Sequence, residues 1–192
     1  MRKTFYIQQL LMLLQAGRHE EAGDLADAIP PDVFSSYPLA DEEKQCELYF
    51  HCSLVQYRLR NWRGAHLYIR EIMNQLKLPE QLLISKAIRL LNIVIYYEKG
   101  ELPHLEYEVR AYKRYFMQAK LLSVEKLFFK IIGSTSAQKR QWLLPAGQRK
   151  LAKELEAIAK DRYEQQLLKY FNLANWIQSA ASPSKAPRRL PS

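Results

Sequence analysis

Cys46, His51 and Cys52 come closer than any other residues of this 192-residue chain to a set that could hold a metal ion. All three lie in one stretch with helical spacing. At about 100° per residue, Cys52 falls about 120° and His51 about 140° round from Cys46, so one ion cannot gather them. The same divergence keeps the two thiols from pairing with each other, and no third cysteine exists to build a disulfide framework. A reducing compartment such as the cytoplasm is therefore expected. His19-Glu20-Glu21 opens like a zinc-binding helix but lacks the second histidine one turn later. The chain contains no GxGxxG, no GxxxxGK[ST] and no GxSxG. Catalysis needs a nucleophile, a base, a metal or a cofactor cradle at workable spacing. No catalytic residue, cofactor or metal is expected here.

Charge is the second source of chemistry. Between Arg110 and Lys153 there are eleven Lys and Arg against a single acid, Glu125, whereas the whole chain carries a net charge of +9. Helical spacing puts Arg110, Lys113, Arg114 and Lys120 on one stripe opposite Leu105, Val109, Tyr112 and Phe116, and repeats the pattern with Lys126 and Lys130. Lys139, Arg140, Arg149 and Lys150 lie around the following connector. Such a field attracts nucleic acid, anionic lipid or an acidic protein. Its plain alternative is a solvated convex face that keeps the protein in solution. Arg58, Arg60, Arg63 and Arg70 form a smaller acid-free cluster.

The elements that must carry these residues are helices. Hydrophobic residues make up 48% of the chain, Gly numbers only 6, and the 9 Pro fall mainly between periodic stretches, a distribution that disfavours an all-β fold. Apolar spacing predicts helices near 2–16, 19–28, 41–60, 62–76, 80–98, 103–119, 121–133, 146–160 and 162–180. Asp41 and Asp161 supply caps, and Pro79, Pro103 and Pro145 suit first-turn positions. Residues 29–40 and 133–144 read as connectors, and 182–192, basic and rich in Pro, as a disordered tail after a helical domain over 1–181. No run reaches the roughly 18 apolar residues of a membrane span. Arg2 and Lys3 precede an apolar stretch as in a secretory signal, but Gln8 and Gln9 interrupt it and no small-x-small site follows.

Three segments align across an inter-helix turn: Leu14 to Ala22, Tyr57 to Ala65 and Tyr97 to Leu105, turning at Gly17, Arg60 and Gly100, 43 and then 40 residues apart. Tyr57, Leu59, Trp62, Ala65 and Ile69 resemble the tetratricopeptide consensus. Ser53 fills that family's small position, whereas Leu10 and Ile93 depart from it. The resemblance implies an all-α fold, an α-solenoid of about three to four antiparallel helical hairpins. A C-terminal helix would cap it through Trp176, with Leu167, Phe171 and Ala174 or Ile177. Ala87 to Leu91, Tyr96 to Gly100, Tyr112 to Phe116, Tyr163-Glu164, Tyr170-Phe171 and Trp176-Ile177 also resemble the C-terminal part of longer bacterial helical-repeat proteins, which bring no activity with them. On that resemblance the chain is a shortened member or a C-terminal piece.

For function, the resemblance implies a protein–protein interaction scaffold that holds a partner segment in a groove. The groove positions are Phe50, Leu54, Tyr57, Leu90, Val94 and Tyr97. The family's carboxylate clamp is missing, because the equivalent positions Ile7, Leu11, Phe50, Leu54, Leu90 and Val94 are apolar. Groove contacts are therefore expected to be apolar and aromatic. The alternative is a nucleic-acid-binding helical repeat that uses the basic 110–153 surface on phosphates. Self-association through the uncapped first helix is a further expectation.

Overall fold

The computed structural model describes residues 2–34, 42–75, 82–117 and 120–181. The chain divides into two compact units, Met1–His104 and Leu105–Ser192. The expected tail, 182–192, lies outside the described residues. Among the described residues all regular structure is helical: α1 (Arg2–Gln15), α2 (His19–Asp27), a 3-10 turn (Pro31–Phe34), α3 (Glu42–Arg58), α4 (Trp62–Gln75), α5 (Leu83–Lys99), α6 (Leu102–Tyr115), α7 (Ser123–Ile132), α8 (Ser136–Leu143), α9 (Pro145–Lys160), α10 (Arg162–Tyr170) and α11 (Leu173–Ala180). No helix among them is long and apolar enough to cross a membrane.

In the first unit the three aligned turns close in the same way. Gly17, Arg60 and Gly100 all take positive φ, at 74°, 58° and 73°. After each, the next amide reaches back five residues: Arg18 to the Leu13 carbonyl, Asn61 to Gln56 and Glu101 to Tyr96, at 2.9, 2.9 and 3.1 Å. This left-handed stop satisfies carbonyls that a helix end otherwise leaves open, and after the first two turns α2 packs back on α1 and α4 on α3. At the second turn Asn61 also starts the next helix, its Oδ1 accepting the Gly64 amide while its Nδ2 donates to Gln56 Oε1 at 2.7 Å.

Small side chains then bring the helices together. Ala22 and Ala26 of α2 are buried one turn apart and join Ile7 and Leu10 of α1 and Leu48, Cys52 and Val55 of α3 in one core. α4 turns Ala65, Ile69 and Ile72 inward, and both α3 and α4 pack on α5. The connector after α2 is anchored too. Phe34 stacks on Tyr49 with centroids 5.1 Å apart, and its carbonyl accepts from Gln45 Nε2 at 2.7 Å.

In the second unit the order is set at the start of α7. Glu164 of α10 is only 3% exposed and accepts the Ser123 and Val124 amides. Glu125 is fully buried; it reaches back to the Leu122 amide and also accepts the Tyr112 hydroxyl. Two carboxylates thus receive the open N–H groups and the positive end of the α7 dipole. From that fixed start Val124, Leu127, Phe128 and Ile131 face inward. Trp176 of α11 packs edge-on against Phe128 at 5.2 Å, with Leu167, Phe171 and Ile177 buried nearby in sequence.

Two expected elements differ. The stretch 133–144 is not a bare connector but holds α8, started by Thr135, whose hydroxyl accepts the Gln138 amide while Gln138 Oε1 accepts the Thr135 amide. The expected helix 162–180 is two helices, because Phe171 is extended and the Asn172 side chain opens α11 by accepting the Asn175 amide. The extended connector 29–40 contains the 3-10 turn over its described part.

An arginine in the left-handed region costs about 1 kcal/mol relative to glycine. Arg60→Gly is expected to raise stability by about 0.5–1 kcal/mol and Arg60→Val to lower it, as read by urea unfolding. Equal stability of the two variants would contradict the turn geometry. Glu164→Ala strips the Ser123 amide and the buried Val124 amide of their acceptor and is expected to cost about 2–3 kcal/mol, with Glu164→Gln losing less. A loss under about 0.5 kcal/mol for the alanine variant would show that α7 does not depend on this cap.

Candidate functional site

The second unit carries the basic surface. α6 buries Leu105 and Tyr112, and Phe116 is buried just beyond its end, so Arg110, Lys113 and Arg114 stand on its solvent side. Lys120 is exposed just before α7, and Lys126 and Lys130 project from the face of α7 opposite its buried stripe. Lys139, Arg140, Arg149, Lys150 and Lys153 are exposed as well, so every basic residue from 110 to 153 reaches solvent. The one acid of that stretch, Glu125, is 0% exposed. The stretch therefore shows solvent a single sign of charge.

Two of these lysines sit over aromatic rings. Lys113 Nζ is 5.4 Å from the centroid of Phe129 and Lys130 Nζ is 5.0 Å from that of Trp142. At such distances the ring quadrupole attracts the ammonium and holds its stem along the apolar surface.

Beside them the C-terminal part of α7, α8 and the first turns of α9 enclose a cleft of about 630 Å³. Phe129 and Trp142 form its aromatic wall, Leu144 extends it, and Lys130 and Lys150 stand at its edge. The local sequence dictates this shape. Leu144 precedes Pro145 and is extended, at φ −72° and ψ 150°, so it ends α8 and begins α9 without a spacer. α8 then leans on α9 at Gly147, where a Cβ would run into the Gln141 carbonyl oxygen. Gln148 Nε2 donates to the carbonyls of Trp142 and of Ala181, at 2.5 and 2.7 Å, and ties the end of α8 to the end of α11. The Trp142 indole donates to Ser134 Oγ at 3.3 Å, and Ser134 donates to the Lys130 carbonyl at 2.6 Å. Sequence reasoning missed Phe129, Trp142 and Gly147. Their signal was local: the Thr135–Gln138 capping pair and the Leu144-Pro145 step mark a helix, an abrupt stop and a restart.

The expected groove residues take a different place. Phe50, Leu90 and Val94 are at most 1% exposed, and Leu54 and Tyr57 are 8% exposed. All five are core, and a side chain without surface offers a partner nothing on the folded unit. The Tyr57 hydroxyl donates to Glu98 Oε1 at 2.8 Å, and burial together with that carboxylate pushes its pKa up. Tyr97 is half-buried. The physical reason is that α3 from Gln45 to Tyr57 and α5 from Ile84 to Ile95 are buried almost all round, leaving no groove side.

Cys46, His51 and Cys52 are likewise buried. His51 Nδ1 donates to the Glu47 carbonyl at 2.7 Å, and burial lowers the ring's pKa. Burial pushes both thiols up to about 12, so they stay protonated and unreactive. Among the described residues no three His, Cys, Asp or Glu side chains converge as metal ligands. α1 leaves Phe5 and Met12 exposed.

Gly147→Ala sets a helix-propensity gain of up to about 1 kcal/mol against a backbone clash that side-chain motion cannot relieve. A net loss of about 1–2 kcal/mol is expected, with a shift in Trp142 emission measured against a Trp142→Phe control. Higher stability in the alanine variant would mean that α8 does not press on α9.

No family model, no curated protein and no solved structure matches the chain, so its function is argued from this geometry.

Proposed function

We propose that the chain is a non-catalytic, tetratricopeptide-like binding protein that engages a partner protein through the basic surface of its second unit. The turns at Gly17, Arg60 and Gly100, alike in backbone and hydrogen bonding, support the helical-repeat reading for the first unit. One observation carries the binding surface: eleven cations between 110 and 153 are all exposed while the only acid of the stretch is buried. A surface made only for solubility is served by mixed signs, whereas a one-sign field steers an oppositely charged partner. Preformed helices would bind with little ordering cost on this side.

Nucleic acid is the second reading, favoured by the same charges. Against it stands the position of the lysines. Bases stack on free aromatic faces, and here Phe129 and Trp142 are half-buried with an ammonium over each ring. Exposed Leu144, at 57%, adds apolar surface among the cations, a mixture suited to an acidic, amphipathic protein segment.

The test is affinity capture by the full chain from its source cell, with and without nuclease, alongside an Arg110→Glu, Lys113→Glu, Arg114→Glu variant. A nuclease-resistant protein whose recovery falls at least about fivefold with the variant is expected, from loss of steering and of charge complementarity. Recovery that vanishes with nuclease and falls steeply with salt transfers the assignment to nucleic acid.

A further inference from the structure

We infer that the cleft between α7, α8 and α9 seats a large apolar side chain of an acidic peptide segment, its flanking carboxylates held by Lys130 and Lys150. The inference rests on the protein-binding role proposed above and adds to it a specific pocket with a specific chemistry.

The occupant follows from what the cleft offers and lacks. Its volume of about 630 Å³ falls in the range of sites that enclose small ligands or a few side chains. Leu144 lines the cleft and is more than half exposed, so an apolar group gains by entering and covering it. An uncharged apolar ligand would leave the two ammoniums at the edge unserved. Neither Lys130 nor Lys150 forms an ion pair among the described residues, and further cations, Arg149 and Lys153, follow along α9. A nucleobase meets the opposite obstacle, because the Lys130 ammonium lies over the Trp142 ring where a base would stack. A peptide that sets Leu or Phe among Glu or Asp satisfies both features together. The walls are already braced by the Thr135 cap, by the Gly147 contact and by Gln148, so the pocket exists before the segment arrives.

The experiment uses the full chain and a fluorescein-labelled twelve-residue peptide in which Leu is interspersed with Glu, read by anisotropy at fixed salt. Its Leu→Ser counterpart keeps the charge and loses the apolar group. Two protein variants remove equal charge: Lys130→Glu with Lys150→Glu at the cleft, and Arg110→Glu with Arg114→Glu on α6. All four side chains are exposed, and circular dichroism with thermal melting confirms folding. The expected result is binding that weakens at least tenfold with the Leu→Ser peptide, and at least fivefold more for the cleft pair than for the α6 pair. Leu144→Ser is expected to weaken binding severalfold. Equal losses for the two pairs, an unchanged affinity for the Leu→Ser peptide, or no binding of the Glu–Leu peptide overturns the pocket. So does a single-stranded oligonucleotide that displaces the peptide at a tenth of the peptide's own concentration. A cellular partner that the cleft pair still captures, but the Arg110, Lys113 and Arg114 variant loses, would remove the pocket and leave the broader binding role standing.

Discussion

The first turn of α7 lacks intrahelical partners for its amides, and in the second unit two buried carboxylates take them. Glu164 reaches Ser123 and Val124 from α10, and Glu125 reaches back to Leu122 while accepting the Tyr112 hydroxyl from α6. Carboxylates are costly to bury unless fully hydrogen-bonded, and here the partners are fixed dipoles at a helix N-terminus. Three helices are thereby held at one point. The direction of α7 follows, and with it the outward placing of Lys126 and Lys130 and the position of Phe129 beside α8.

The same arrangement sets the charge of the surface. An acid exposed on this stretch would have broken its single sign of charge. Because the N-terminal amides draw Glu125 inward, the stretch from 110 to 153 presents only cations to solvent. One internal hydrogen-bonding requirement thus supports a long-range property of the exterior.

Legibility in the sequence tracked how local the physics was. The turns at Gly17, Arg60 and Gly100 could be read because a left-handed stop is a matter of a few residues. The solvent side of α6 could be read because it is amphipathic, with Leu105 and Tyr112 in and Lys113 and Arg114 out. α8 escaped because its residues, from Ser136 to Leu143, carry no apolar period; only its capping pair declares it. The groove escaped for the converse reason. Between Gln45 and Tyr57 only Glu47 and Tyr49 are not fully buried, so periodicity along α3 has no outer side to find. Which of several buried faces meets which neighbour is tertiary information, absent from any short window.

Holding eleven exposed cations on one stretch is unfavourable, since like charges within a Debye length of about 8–10 Å repel each other in the folded state. Stability alone would place acids among them, as α9 does further on where Lys160 meets Glu156. The second unit instead moderates the repulsion without removing the charge, laying Lys113 along Phe129 and Lys130 along Trp142. A cation–π contact leaves the formal charge in place and its ammonium accessible from the solvent side. The rings also keep those ammoniums beside the apolar cleft rather than swinging freely in water. Charge and carbon surface are thus positioned together, which a merely solvated exterior does not require and a binding surface does.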